Sequence, residues 1–178
     1  SEVEETIKRV RDTLKKHNEE SEKAIRELEE ELKRLDDKNR EAVEDVKRTL
    51  DELRRTKSSE DTLRKVLDKL RRDVERLVRE HEAVLKKLED RIRELKEKTK
   101  KVLEEVARIV TEVERKVKDK DLRKRLEELL REVEEDLKRN IEKLDKALKE
   151  AKEVIERSIE HLRRVLEEVE RVLRELAR

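Results

Sequence analysis

Residues 67–106 read LDKLRRDVERLVREHEAVLKKLEDRIRELKEKTKKVLEEV. Leu67, Leu85 and Leu103 stand 18 residues apart, as do Leu70, Leu88 and Val106. Leu77, Leu95 and Val113 repeat the interval. Eighteen residues make five turns at 3.6 per turn, the period of an undistorted α-helix. A seven-residue repeat would impose a left-handed supercoil, and this one demands almost none.

The same interval governs the flanks. Ile7, Ile25 and Val43 share a phase, as do Val10, Leu28 and Val46, and Leu14, Leu32 and Leu50. Towards the C-terminus Leu126, Leu144 and Leu162 share one, followed by Leu130, Leu148 and Leu166, and by Leu137, Ile155 and Leu173. The stripe is interrupted twice, at Thr56–Asp61 and at Lys118–Asp121. Ser59 is suited to cap the second helix, and Asp119 or Asp121 the third, because a short side-chain oxygen can accept from the free N–H groups of a first turn. The spacing predicts an all-α, up-down-up bundle of three long, nearly straight antiparallel helices, near 2–57, 60–117 and 121–177, forming one domain over 1–178. At 1.5 Å per residue each helix would be roughly 80–90 Å long.

Composition supports this reading and excludes others. The chain of 178 residues carries 52 Lys+Arg and 51 Asp+Glu, and uses only twelve residue types. Gly, Pro, Cys, Met, Phe, Tyr, Trp and Gln are absent. At ordinary usage, a chain of this length with neither Gly nor Pro would arise about once in ten billion. Turn-rich β folds lose their turn residues, and glycine phosphate loops are excluded. Without Cys there are no disulfides, thiolate metal sites or cysteine catalysis. Charged residues make up 58% of the chain, which by itself is compatible with disorder or with a free-standing charged helix. The strict phase of the apolar residues rejects both. Lys and Glu alternate along every helix and aromatics are lacking, so neither nucleic acid nor a membrane surface is an expected partner.

The polar residues on the stripe carry the remaining information. They are His17, Ser21 and Asn39 in the first helix, His81 and Thr99 in the second, and Asn140 and Ser158 in the third, with His161 beside Leu162. In an antiparallel pair, residues at one height have a constant number sum. For helices 1 and 2 the stripe ends give 120, which pairs Ser21 with Thr99 and Asn39 with His81. For helices 2 and 3 they give 239, which pairs Thr99 with Asn140 and His81 with Ser158. Helices 1 and 3 then run parallel with an offset of 119. One register therefore predicts two buried polar layers, about 27 Å apart. One holds Ser21, Thr99 and Asn140 with His17 a turn away. The other holds Asn39, His81 and Ser158 with His161 a turn away. Each layer contains donors and acceptors that can satisfy one another, whereas a misregistered packing would strand them.

A structural hydrogen bond is the expected role of the histidines. A pH response is the alternative, since protonation would bury a charge. Metal binding lacks ligands, because His81 and His161 lie on different helices without paired spacing. No Ser/His/Asp set has an orienting third group, so neither catalysis nor a cofactor is expected.

The 18-residue stripe, the two polar layers, the serine- and aspartate-capped turns and the Glu/Lys/Arg faces together resemble computationally designed helical bundles with buried hydrogen-bond networks. The resemblance covers the whole chain. It departs in lacking Gly at the turns. Spectrin-like repeats share the shape but carry aromatic core residues, which are missing here. The resemblance implies a scaffold with no natural substrate or localisation, soluble on recombinant cytoplasmic expression, requiring no partner. The alternative is an interaction module. Helix 1 has 14 apolar residues against 21 and 22 in helices 2 and 3, where Val66, Val84, Val102, Ile141 and Ile159 widen the stripes. A further helix, or a second copy, could use that width.

Overall fold

The computed structural model describes all 178 residues, as three helices without strands: α1 (Glu2–Arg55), α2 (Glu60–Lys116) and α3 (Lys120–Ala177). They form an up-down-up three-helix bundle. The connections are three or four residues long and contain no residue of positive φ, so the missing glycines are not needed.

Capping sets the boundaries. Ser59 Oγ accepts from the Thr62 amide at 3.2 Å. Asp119, not Asp121, caps α3, its carboxylate accepting from the amides of Asp121 and Leu122 at 2.8 and 3.4 Å. α1 stops at Arg55, two residues before the expected end near 57. Ser1 caps α1 by the same device, accepting from the Glu4 amide at 3.4 Å.

Burial follows the repeat. In α2, Leu63, Leu70, Val74 and Leu77 are buried, and so are the residues 18 further on (His81, Leu88, Ile92, Leu95) and 36 further on (Thr99, Val106, Val110, Val113). In α3, Leu126, Val133 and Leu137 recur as Leu144, Ala151 and Ile155, then as Leu162, Val169 and Leu173. The inward positions step by seven, four and seven in α3, and by seven, four, three and four in α2, so each repeat closes after 18 residues. Two heptads drift around the helix and the four-residue step brings them back.

Contacts gather into two compact units. The first comprises Ser1–Glu27 and Leu88–Lys149. Its core takes Val3 and Val10 from α1, Val106, Val110 and Val113 from α2, and Leu126, Leu129, Val133 and Leu137 from α3. Ion pairs Lys98–Glu20 (2.8 Å) and Lys116–Glu2 (3.9 Å) join α1 to α2, both with a number sum of 118. The second unit comprises Leu28–Lys87 and Glu150–Arg178. One of its core clusters joins Val46, Leu50 and Leu53 to Leu63 and Leu70 and to Val169, Val172 and Leu173. Lys38–Glu80 and Lys87–Glu31 keep the sum of 118 there. Constant sums mark antiparallel neighbours in both units.

Leu126 is fully buried. Replacing it with Ala should cost roughly 2–5 kcal/mol in denaturant unfolding. Ser59→Ala should cost about 1 kcal/mol, because only one cap is lost. Equal costs would contradict a stability dominated by the apolar stripe.

Candidate functional site

The site is built around the α2 position that Leu63 fills one way and Thr99 another. Thr99 is 1% exposed, and its hydroxyl lies 2.7 Å from the Leu95 carbonyl one turn back. A hydroxyl has one hydrogen. The Asn140 carbonyl oxygen, at 3.3 Å, is the more distant acceptor, so the hydrogen goes to Leu95. The Thr99 lone pairs then face His17 Nε2 at 2.7 Å. Nε2–H donates, which leaves the Nδ1 lone pair inward, buried and without a partner.

Across α1 and α3 a second chain of bonds runs outwards. Ser21 donates to Asn140 Oδ1 at 3.4 Å. The Asn140 amide donates to Asn18 Oδ1 at 3.0 Å, and the Asn18 amide donates to Asp136 Oδ2 at 2.8 Å. Each donor points the same way, and the chain ends on a half-buried carboxylate near Arg139. Bonds to an ionised acceptor are the stronger kind. The structure thus brings His17, Ser21, Thr99 and Asn140 together. It adds Asn18 and Asp136, which sequence reasoning missed because both sit beside the stripe and read as solvated. Their signal was the spacing: Asp136 is one turn before Asn140, and Asn18 lies at about the helix 1 to helix 3 offset from both. Thr6 is also buried on the stripe, and it spends its hydroxyl on the Glu2 carbonyl at 2.8 Å.

The second set behaves differently. His81 is 0% exposed, and its Nδ1–H donates to the Leu77 carbonyl at 2.7 Å. Its Nε2 has no partner, nor has Asn39 Oδ1. Both are acceptors, so neither can satisfy the other. Ser158 is half-buried, and His161 is exposed. The expectation that His161 joins a buried layer is corrected. Leu162 takes the inward position there, at 1% exposure, and one residue further or back turns the side chain by about 100°. The expected bonding of Asn39, His81 and Ser158 to one another is likewise absent.

Burial lowers the His17 pKa from its usual 6.5; Glu20 opposes the effect and Lys98 adds to it. Glu20 is itself held below the usual carboxylate range by its bond to Lys98 at 2.8 Å. The Thr99 hydrogen points at a backbone carbonyl, away from the imidazole, so the pair is no nucleophile and base. Nowhere do three His, Asp or Glu side chains converge as metal ligands. No helix is long and apolar enough to cross a membrane.

Thr99→Val should cost about 1–3 kcal/mol, because His17 Nε2–H loses its acceptor inside the core. Adding His17→Leu should recover part of that loss, and strictly additive costs in a double-mutant cycle would exclude the bond. The pH dependence has a defined sign. Above 6.5 both folded and unfolded chains hold His17 neutral. Below 6.5 the unfolded chain binds a proton that the folded chain refuses, so stability falls with pH until the lower folded value is reached. The urea midpoint of wild type should therefore drop between pH 7 and 5 by more than that of His17→Leu.

No curated protein matches the chain. A solved structure described as a computationally designed three-helix bundle shares the fold, with a TM-score of 0.61 and 24% identity over 99% of this chain and 80% of its own. Residues 6–121, nearly all of α1, the whole of α2 and the first residues of α3, match the fibrinogen alpha/beta chain family. The matched stretch holds no Gly, Pro, Cys or aromatic residue, so the likeness is carried by long charged helices with a regular apolar stripe. With more than half of its length inside that match, the chain belongs to the fibrinogen alpha/beta chain family.

Proposed function

We propose that the chain is a designed structural scaffold without an enzymatic activity, and that its buried polar groups specify how its helices pair. One observation carries the reading: within the first unit, His17, Ser21 and Asn18 of α1 bond to Thr99 of α2 and Asn140 of α3. Sliding α1 by seven residues would set Val10 or Ala24 against Thr99 in place of His17. Asn140 would then lose its bonds to Ser21 and Asn18, at a cost of about 1–3 kcal/mol for each stranded group. Apolar packing alone tolerates such slips, because the stripe repeats.

A designed origin is supported by the absence of eight residue types and by the likeness to a bundle that is itself designed. The family match adds no site residue. A partner-binding role for the wide stripes of α2 and α3 has no observation in its favour, since no large hydrophobic side chain is exposed.

The test replaces the bonded set with apolar residues: His17→Leu, Ser21→Ala, Thr99→Val and Asn140→Leu together. Removing both sides of a buried polar set is often neutral or stabilising. The melting temperature should hold or rise, while native mass spectrometry should show several oligomeric species in place of one. A quadruple variant that stays a single species with unchanged pairing would refute the proposed role.

A further inference from the structure

Glu60, Arg64, Leu67 and Arg71 follow one another on α2 at steps of four, three and four, and Glu170, Arg174 and Ala177 on α3 at steps of four and three. Such steps keep to one face of a helix. The two rows line a groove of about 300 Å³ inside the second unit, with the buried Leu63 and Leu173 at its floor.

The repeat explains the hole. Eighteen residues back along α3, the place of Ala177 is held by Ile159, and 36 back by Ile141, both half-buried. The apolar neighbours keep their size. Leu67 corresponds to Leu85 and Leu103, Leu173 to Ile155 and Leu137, and Leu63 to His81, a side chain of similar bulk. Nothing therefore makes up for the isoleucine carbons beyond Cβ that Ala177 leaves out.

Charge around the groove is unbalanced. Arg71 and Glu170 hold one end with an ion pair at 2.8 Å. Arg64 and Arg174 stand on opposite walls with no carboxylate in ion-pair range, and Glu60 is the one other unpaired charge on the rim. Two guanidinium groups on either side of an apolar groove repel each other, and a carboxylate between them would answer both. They outnumber Glu60, so the groove selects an anion over a cation.

We propose that the α2–α3 groove beside Ala177 is a binding site for a free short-chain fatty carboxylate, whose hydrocarbon lies on Leu63, Leu67 and Leu173 in the place of an isoleucine side chain and whose carboxylate bridges Arg64 and Arg174. The site goes beyond the scaffold reading and does not rest on it, because it uses none of the buried polar groups. Each half of the ligand meets one half of the groove: methylenes leave water for the leucines, and guanidinium donors match carboxylate lone pairs.

Hexanoate is the probe, titrated into the labelled full chain and followed by methyl and amide NMR. Saturable shifts are expected at Leu63, Leu67, Leu173 and Ala177, with a midpoint in about the millimolar range. Acetate has the charge without the chain and hexanol the chain without the charge, and each should bind at least about tenfold more weakly. The repeat provides an internal control. Lys100 and Lys138 stand where Arg64 and Arg174 do, but Ile141 fills the place of Ala177, so no saturable shift is expected there. Ala177→Ile restores the side chain of the other repeats; it should leave helicity unchanged and weaken hexanoate about tenfold or more. Arg64→Gln combined with Arg174→Gln should bring hexanoate down to the level of hexanol. No saturable shift at tens of millimolar hexanoate would overturn the site, as would equal binding of acetate or hexanol, equal shifts around Lys100 and Lys138, or undiminished binding to either variant.

Discussion

Eighteen residues make five whole turns, and the rest of the molecule depends on that commensurability. It keeps one face of a helix more than fifty residues long turned inwards. Leu63, His81 and Thr99 occupy one phase of α2 and are all buried. A polar residue placed at such a position is committed to the interior, whatever its solvation would prefer. The repeat also makes neighbouring packings nearly equivalent for apolar residues, so something else must distinguish the correct one.

The buried polar groups supply that distinction, with unequal completeness. Around Thr99 every donor has an acceptor, and the chain from Ser21 to Asp136 delivers polarity to the surface. His17 Nδ1 is left over. Around His81 two acceptors, His81 Nε2 and Asn39 Oδ1, remain unpaired. The contrast comes from the whole set: the positions of Asn18, Ser21, Asp136 and Asn140 are filled 18 residues on by Asp36, Asn39, Val154 and Ser158, and only the first four bond in a chain. An unpaired buried acceptor costs more, about 1–3 kcal/mol, than a typical hydrogen bond contributes, so the two sets differ in energy although they share a pattern.

The charged majority of the chain plays a lesser part. Its ion pairs are mostly exposed, as in Arg40–Asp36 and Arg164–Glu160, and such pairs contribute at most about 1 kcal/mol each. Their value lies in agreement: those joining α1 to α2 share one number sum in both units, so charge and stripe favour the same antiparallel pairing.

Helix number, the approximate turns and the inward phase of each helix were determined by sequence alone. They follow from local periodicity and from capping residues such as Ser59, which act within a few residues of themselves. The set of polar residues bound for the interior was legible for the same reason. Which of them bond was not. The choice of Asp119 over Asp121 as the cap, the recruitment of Asn18 and Asp136, and the exposure of His161 all turn on angles and reaches across helices. A hydrogen bond tolerates a few tenths of an ångström, and side-chain length decides it. The spacing that placed Ser21 with Asn140 and Asn39 with Ser158 could not say that the first pair would bond and the second would not; only the placement of the side chains in each unit decides that.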